Sequence, residues 1–273
     1  MAKRKLIQFF TTVLYNANFP GFISGKLYKG ELKSVCVPGL NCYSCPGALG
    51  ACPIGALQSS LSGVFLRIPF YVLGTLLMFS LLAGRLICGW ACPFGLFQEL
   101  LYKIPLPKIQ KNNFTKQLSK LKYLILITFV FLLPILYHLF TGIGIPAFCK
   151  FICPVGTLEA ALPLSLADIN IRNTLGNLFY WKLFILISVC IISMVIYRPF
   201  CRFLCPLGAL YGLFNKLALF GVKVDADKCI HCQKCISHCL LDCKQVSDKE
   251  CISCGECQKV CPVNAISITK KFR

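Results

Sequence analysis

Three apolar runs constrain this chain more than any other feature. They cover about residues 68–87 ("IPFYVLGTLLMFSLLAGRLI"), 121–141 and 177–197. Each approaches the roughly 20 residues a helix needs to cross a bilayer core of about 30 Å. Hydrocarbon offers backbone N–H and C=O groups no partners, so each run is expected to be helical. A fourth stretch, about 6–24, is apolar but carries Gln8, Asn16, Asn18 and Pro20; it reads as either a spanning or an interfacial helix. Composition agrees, with 56% hydrophobic and only 14% charged residues, against about 25% charged in soluble domains.

The formal charge is +19, which on its own suggests nucleic acid. Its distribution does not. Lys103, Lys108, Lys111, Lys116, Lys120 and Lys122 crowd one loop between apolar runs, the pattern of a cytoplasmic loop in a membrane protein. Residues 25–67 and 142–176 are then expected outside, and everything after Arg198 inside. Six of the ten acidic residues lie between Asp225 and Glu256, so the tail reads as a separate small soluble-type domain. The expected organisation is 1–67, a possible membrane helix and an outer segment; 68–222, the transmembrane region; and 223–273, the tail domain. The fold class is mainly α, a polytopic protein with three or four membrane helices and a small α+β C-terminal domain.

Twenty cysteines decide the chemistry. The tail holds Cys229, Cys232, Cys235 and Cys239, then Cys251, Cys254, Cys257 and Cys261, both spaced C-x2-C-x2-C-x3-C. That is the two-cluster ferredoxin spacing, in which the fourth cysteine of each run serves the other cluster. Cys229, Cys232, Cys235 and Cys261 are therefore expected to hold one [4Fe-4S] cluster, and Cys251, Cys254, Cys257 and Cys239 the second. Cys243, four residues past Cys239, competes for the last position. Zinc also accepts four thiolates, but usually from separated C-x2-C pairs. Two hairpins flanking two helices are expected here, with "AISI" at 265–268 as the closing strand.

The motif C-x3-C-P-x-G recurs at Cys88/Cys92, Cys149/Cys153 and Cys201/Cys205. Proline suits the first turn of a helix, and a helix N-terminus favours a thiolate. Each pair thus reads as loop cysteines ahead of a helix. Topology puts Cys88, Cys92, Cys201 and Cys205 at one inner level, where they are expected to bind a cluster or metal. Cys36, Cys42, Cys45 and Cys52 fall outside with Cys149 and Cys153. A cluster there would use Cys42, Cys45 and Cys52 with Cys36, or with one of the Cys149 pair; disulfides are the rival in an oxidising exterior. About 30 Å of bilayer core is expected between the two levels, calling for a carrier such as a quinone between them. Cys190 and the histidines are assigned no role. No G-x-G-x-x-G, Walker or C-x-x-C-H motif is present, so nicotinamide, ATP and c-haem chemistry find no support.

Membrane runs bearing C-x3-C-P motifs, followed by the doubled C-x2-C-x2-C-x3-C tail, resemble the polyferredoxin-like 4Fe-4S membrane proteins. These include the ferredoxin-type membrane subunit of periplasmic nitrate reduction and the C-terminal half of the nitrous oxide reductase regulator. The resemblance runs from about Cys36 to Pro262. It implies an electron carrier of an oxidoreductase system, of quinol dehydrogenase type, passing electrons between a cytoplasmic donor or quinol and a membrane or outer-face acceptor. Membrane lipid, a quinone and a redox partner protein are the implied partners; nucleic acid is not. The third C-x3-C-P pair and the segment "NCYSCPGALGACPIGALQ" depart from those two members and are closer to 4Fe-4S membrane proteins of anaerobic bacteria. The alternative is a redox-sensing or assembly factor for a partner metalloenzyme, and a third reading is thiol–disulfide exchange at the outer cysteines.

Overall fold

The computed structural model describes residues 2–62 and 69–271. It is mainly helical, with one two-stranded sheet. Two helices, Asn113–Thr141 and Asn177–Val195, are long and apolar enough to cross a membrane. Only 22% and 17% of their most apolar windows are buried inside the protein, unlike the core helix of a soluble domain. Leu124, Ile127, Leu139, Phe140, Phe184, Ile187 and Ile191 stay exposed along them, an apolar surface larger than water tolerates.

The first apolar run ends earlier than its composition suggests. Its helix is Phe70–Leu82, followed by a turn and a short helix Leu86–Trp90; residue 68 lies outside the described residues. The break has a local cause. Gly84 is left-handed (φ 50), and the following N–H of Arg85 donates to Asn215 Oδ1 at 3.1 Å instead of continuing a helical ladder. A Cβ on Gly84 would lie 2.9 Å from that same oxygen.

The N-terminal stretch is also interrupted. Helix Ala2–Tyr15 stops, Asn16 donates to Asn41 Oδ1 (3.1 Å) and Asn18 to the Pro46 carbonyl (2.8 Å), and Phe19–Ser24 resumes. The asparagines replace backbone ladder bonds with bonds to the cysteine-rich segment. In Asn113–Thr141, Pro134 lacks a backbone N–H, and the turns before it widen to a π-type spacing over Leu126–Leu132. The Phe129 carbonyl there accepts Gln58 Nε2 at 2.7 Å.

The tail differs from expectation in one respect. β1 (Phe220–Val224) pairs antiparallel with β2 (Ile266–Lys270), Val222 opposite Ile268. The second hairpin is absent among the described residues. The intervening segment is occupied differently: Asp242, Asp248 and Glu250 are buried, and Asp242 and Glu250 pair with cations of the helical region.

Candidate metal centres

Four elbows of the form C-P-x-G build the sites, at Cys52, Cys92, Cys153 and Cys205. Cys52, Cys92 and Cys205 have extended backbones and immediately precede helices Pro53–Leu61, Pro93–Leu101 and Pro206–Phe214. Proline opens each helix because its missing N–H is not needed there. The free N–H groups of that first turn then point back at the sulfur. Gly208 N lies 3.4 Å from Cys205 Sγ. Thiolates are favoured at such a position by unpaired donors and by the helix dipole.

Cys88, Cys92, Cys201 and Cys205 come together as one buried set. The two halves exchange contacts around it. Arg85, three residues before Cys88, donates from Nη2 to the Cys201 carbonyl (3.3 Å). Arg198, three residues before Cys201, donates from Nη1 to the Cys88 carbonyl (2.5 Å). Arg198 holds a left-handed backbone (φ 49), a conformation rare for a side-chain-bearing residue. Gln98 Nε2 lies 3.0 Å from Cys201 Sγ, and its Oε1 accepts from Phe200 N (3.0 Å). Burial first, then the neighbouring thiols of Cys201, Cys88 and Cys92, push the Cys205 thiol well above its usual range.

Cys42, Cys52, Cys149 and Cys153 line a second cavity of about 550 Å³ with Lys182 at its edge. The exchange recurs. Gln58 Oε1, six residues past Cys52, accepts from Cys149 N (3.0 Å); Glu159 Oε2, six past Cys153, accepts from Cys42 N (2.8 Å). Burial, then the nearby Cys153 and Glu159, push the Cys42 thiol up to about 12. Burial likewise lifts the Glu159 carboxyl to about 8, against the opposing Cys42 N–H. Both members of the Cys149 pair thus join Cys42 and Cys52. Cys36 and Cys45 do not line this cavity. Cys36 is buried where it bridges Ala51, and the Cys45 thiol donates to Asn16 (3.5 Å). All twenty cysteines are free.

The expected 30 Å separation of the two sets is overturned. Tyr211 donates its hydroxyl to the Pro38 carbonyl (2.9 Å), and Leu40 lies beside Cys92, since a Cβ on the preceding Gly39 would sit 3.0 Å from the Ala91 carbonyl oxygen and 3.2 Å from Pro93 Cδ. Cys42 is only two residues further, at most about 7 Å of chain. The cysteine-rich segment folds inward because residues 38–41 have partners there: Asn41, Leu40 and Tyr211 are all buried.

In the tail, Cys229, Cys232, Cys235 and Cys261 line one cavity of about 560 Å³. Cys239, Cys243, Cys251, Cys254 and Cys257 line another of about 370 Å³, which Cys235 also borders. His231, Gln233 and Ser253 are left-handed (φ 51, 56 and 51), which turns the C-x2-C loops tightly enough to aim N–H groups inward. Cys243 stands against the thiols of Cys239 and Cys251, so with Cys235, shared with the first cavity, six cysteines line this one. Among the described residues no three His, Cys, Asp or Glu side chains are grouped to hold a single metal ion; four thiols spaced around a cavity suit a group with several metal corners.

The tail is clamped to the inner set. Trp90, between Cys88 and Cys92, donates Nε1–H to the Ser253 carbonyl (2.9 Å), between Cys251 and Cys254. Arg202 binds Asp242 through Nε (2.5 Å) and Nη2 (2.7 Å). Arg85 Nη1 reaches Glu250 (2.7 Å), and Asn215 Nδ2 reaches the Asp248 carbonyl (2.6 Å). Sequence alone marks Arg85 and Arg198 as flanking the inner cysteine pairs, as inside-facing anchors or partners of anionic clusters or headgroups, but not their crossing bonds, and it gives Gln58, Gln98 and Trp90 no role. Two signals were available: arginine three residues before the first cysteine, and glutamine six after the elbow cysteine.

Thiols at elbows beside apolar helices, joined to a doubled ferredoxin run, define a membrane-associated iron–sulfur electron-transfer protein. A 4Fe-4S binding domain model matches residues 68–112, 123–162 and 178–225, each match holding one C-x3-C-P pair. A second 4Fe-4S binding domain model matches 244–267. The chain is 31% identical over 205 residues to an uncharacterized protein of Methanocaldococcus jannaschii, covering 72% of this chain and 77% of that one. It is 25% identical over 238 residues to the ferredoxin-type protein NapH of Escherichia coli, covering 81% and 75%. It is 28% identical over 208 residues to the regulatory protein NosR of Pseudomonas aeruginosa, covering 71% of this chain and 26% of that one. No solved structure matches. The chain belongs to the polyferredoxin-like 4Fe-4S membrane protein family, and its cofactors are [4Fe-4S] clusters.

Proposed function

We propose that this protein is a multi-pass membrane wire of four [4Fe-4S] clusters, carrying electrons between a cytoplasmic donor or quinol and a membrane or outer-face acceptor. Cys229, Cys232, Cys235 and Cys261 hold the outermost tail cluster. Cys251, Cys254, Cys257 and Cys239 hold the next. Cys88, Cys92, Cys201 and Cys205 hold the inner membrane cluster, and Cys42, Cys52, Cys149 and Cys153 the last. Residues after Arg198 lie in the cytoplasm, and the chain crosses the bilayer three or four times.

The observation that carries this reading is continuity. Trp90 touches the loop of the second tail site, and Gly39 packs against Ala91 and Pro93, either side of Cys92, just before the chain arrives at Cys42. Each cluster supplies one-electron storage. The chain supplies position, through the elbows and the crossing bonds, and exclusion of water, through burial of Cys52, Cys88, Cys92, Cys153, Cys201 and Cys205.

Anaerobic purification with iron, sulfide and EPR quantification tests it. Four clusters give about sixteen iron atoms, and the tail alone about eight. Finding eight would sink the membrane half of the proposal.

A further inference from the structure

Two buried charge triads flank the inner thiol set. In one, Glu99 accepts from Arg4 Nη1 (3.0 Å to Oε1) and Nη2 (2.8 Å to Oε2), and from Arg198 Nε (3.0 Å). In the other, Glu250 accepts from Arg85 Nη1 (2.7 Å) and from Lys122. None of these six side chains is more than 6% exposed.

Each triad has two cations to one carboxylate, so each keeps one uncompensated positive charge. Burying such a charge is costly unless an anion meets it. No further side-chain anion is bonded to either triad among the described residues. Tyr197 is a neutral donor to Glu99, and Arg202 with Asp242 forms a separate neutral pair. The surplus cations turn instead to the backbone that carries the inner thiols. Arg4 Nη1 donates to the Gly89 carbonyl (3.0 Å), Arg198 to that of Cys88, and Arg85 to that of Cys201. Arg85 Nε, fully buried, has no hydrogen-bond partner among the described residues.

A 2+ cubane with four thiolates carries two negative charges, matching the two surplus positive ones. The outer set is less well supplied. Lys182 donates to the Cys149 carbonyl (3.1 Å) and Lys33 to that of Ala48 (2.8 Å), but both are only half-buried, and Lys150, at the cavity edge, is exposed, so solvent screens all three.

We propose that Arg4–Glu99–Arg198 and Arg85–Glu250–Lys122 are the counter-charge of a dianionic inner cluster and hold its reduction potential above that of the outer one. Surplus positive charge favours the more negative, reduced state. Transfer between the two clusters moves one electron and no proton: the inner cluster goes from 1+ to 2+ as the outer goes from 2+ to 1+. That step is uphill, so an electron on its way outward rests on the inner cluster. The inference rests on the ligand assignment above, and its test keeps the two apart.

Full-length protein in native membranes is titrated anaerobically with dithionite and followed by EPR. The inner signal is identified by its loss in Cys88→Ser/Cys201→Ser. Arg4→Gln is expected to lower the midpoint of that signal, and Arg4→Lys to restore it. A merely structural role for Arg4 would not make the midpoint follow the charge. Lys122→Met is expected to lower the same midpoint from the other triad. An inner midpoint unmoved by both Arg4→Gln and Lys122→Met, or already below the outer one in wild type, overturns the proposal. Absence of any signal dependent on Cys88 and Cys201 overturns the ligand assignment and this inference with it.

Discussion

The Trp90 indole N–H donates to the Ser253 carbonyl at 2.9 Å, and both residues stand between cysteines of neighbouring sites. This bond joins the helical region to the tail at the point where their thiol sets approach. Replacing Trp90 with Phe keeps the ring and removes the donor. The loss in docking is about 1 kcal/mol. Iron content should stay at the wild-type value, while freeze-quench EPR should show slower equilibration between the inner cluster and the tail.

Gly89→Ala tests the same junction by bulk. A Cβ there would sit 2.2 Å from the Ile252 carbonyl oxygen, and that backbone must move. The expected cost is about 1–3 kcal/mol. Limited proteolysis should release the tail faster than from wild type.

Asp242→Ala leaves Arg202 buried and unpaired. Breaking one side of a buried pair costs about 3–5 kcal/mol, so the denaturation midpoint should fall sharply. The double change Arg202→Met with Asp242→Leu should recover most of it, because a buried pair replaced by apolar groups is often neutral.

The elbow glycines should divide into two kinds. At Gly55 an added Cβ meets only Cys52 Cβ at 3.9 Å, so Gly55→Ala should keep its iron. At Gly95 it meets Arg198 Nη1 at 3.0 Å and Cζ at 3.2 Å. Gly95→Ala should displace the arginine and lower the iron count by about four atoms. Equal iron in the two variants would remove the case for the arginine crossing.

Much of this arrangement is legible in the chain. Spacing grouped the tail cysteines, because ligand distance is written directly into C-x2-C-x2-C. Loop lysines and helix order brought Cys88 and Cys92 to the level of Cys201 and Cys205. The outer set was less legible because its sulfurs come from Cys42, Cys52 and the Cys149 pair, with no common spacing. Cys36 and Cys45 look equivalent in sequence and differ only in which neighbour takes them, Ala51 and Asn16. Depth was misread for a related reason: hydropathy places helices, but polar contacts such as Tyr211 with Pro38 place the loops. The missing second hairpin has the same origin, since Asp242 and Glu250 answer to Arg202 and Arg85 rather than to a strand partner.

The crossing of the two halves also dictates an order of manufacture. A nascent chain that has emerged only as far as Phe94 possesses one half of each membrane thiol set and completes neither. The outer set is whole once Cys153 has been added, the inner one only after Cys205. On the proposed ligand assignment, iron loading in the membrane waits for the second half of the polypeptide, and a ribosome that stops early leaves behind sulfur without a cage.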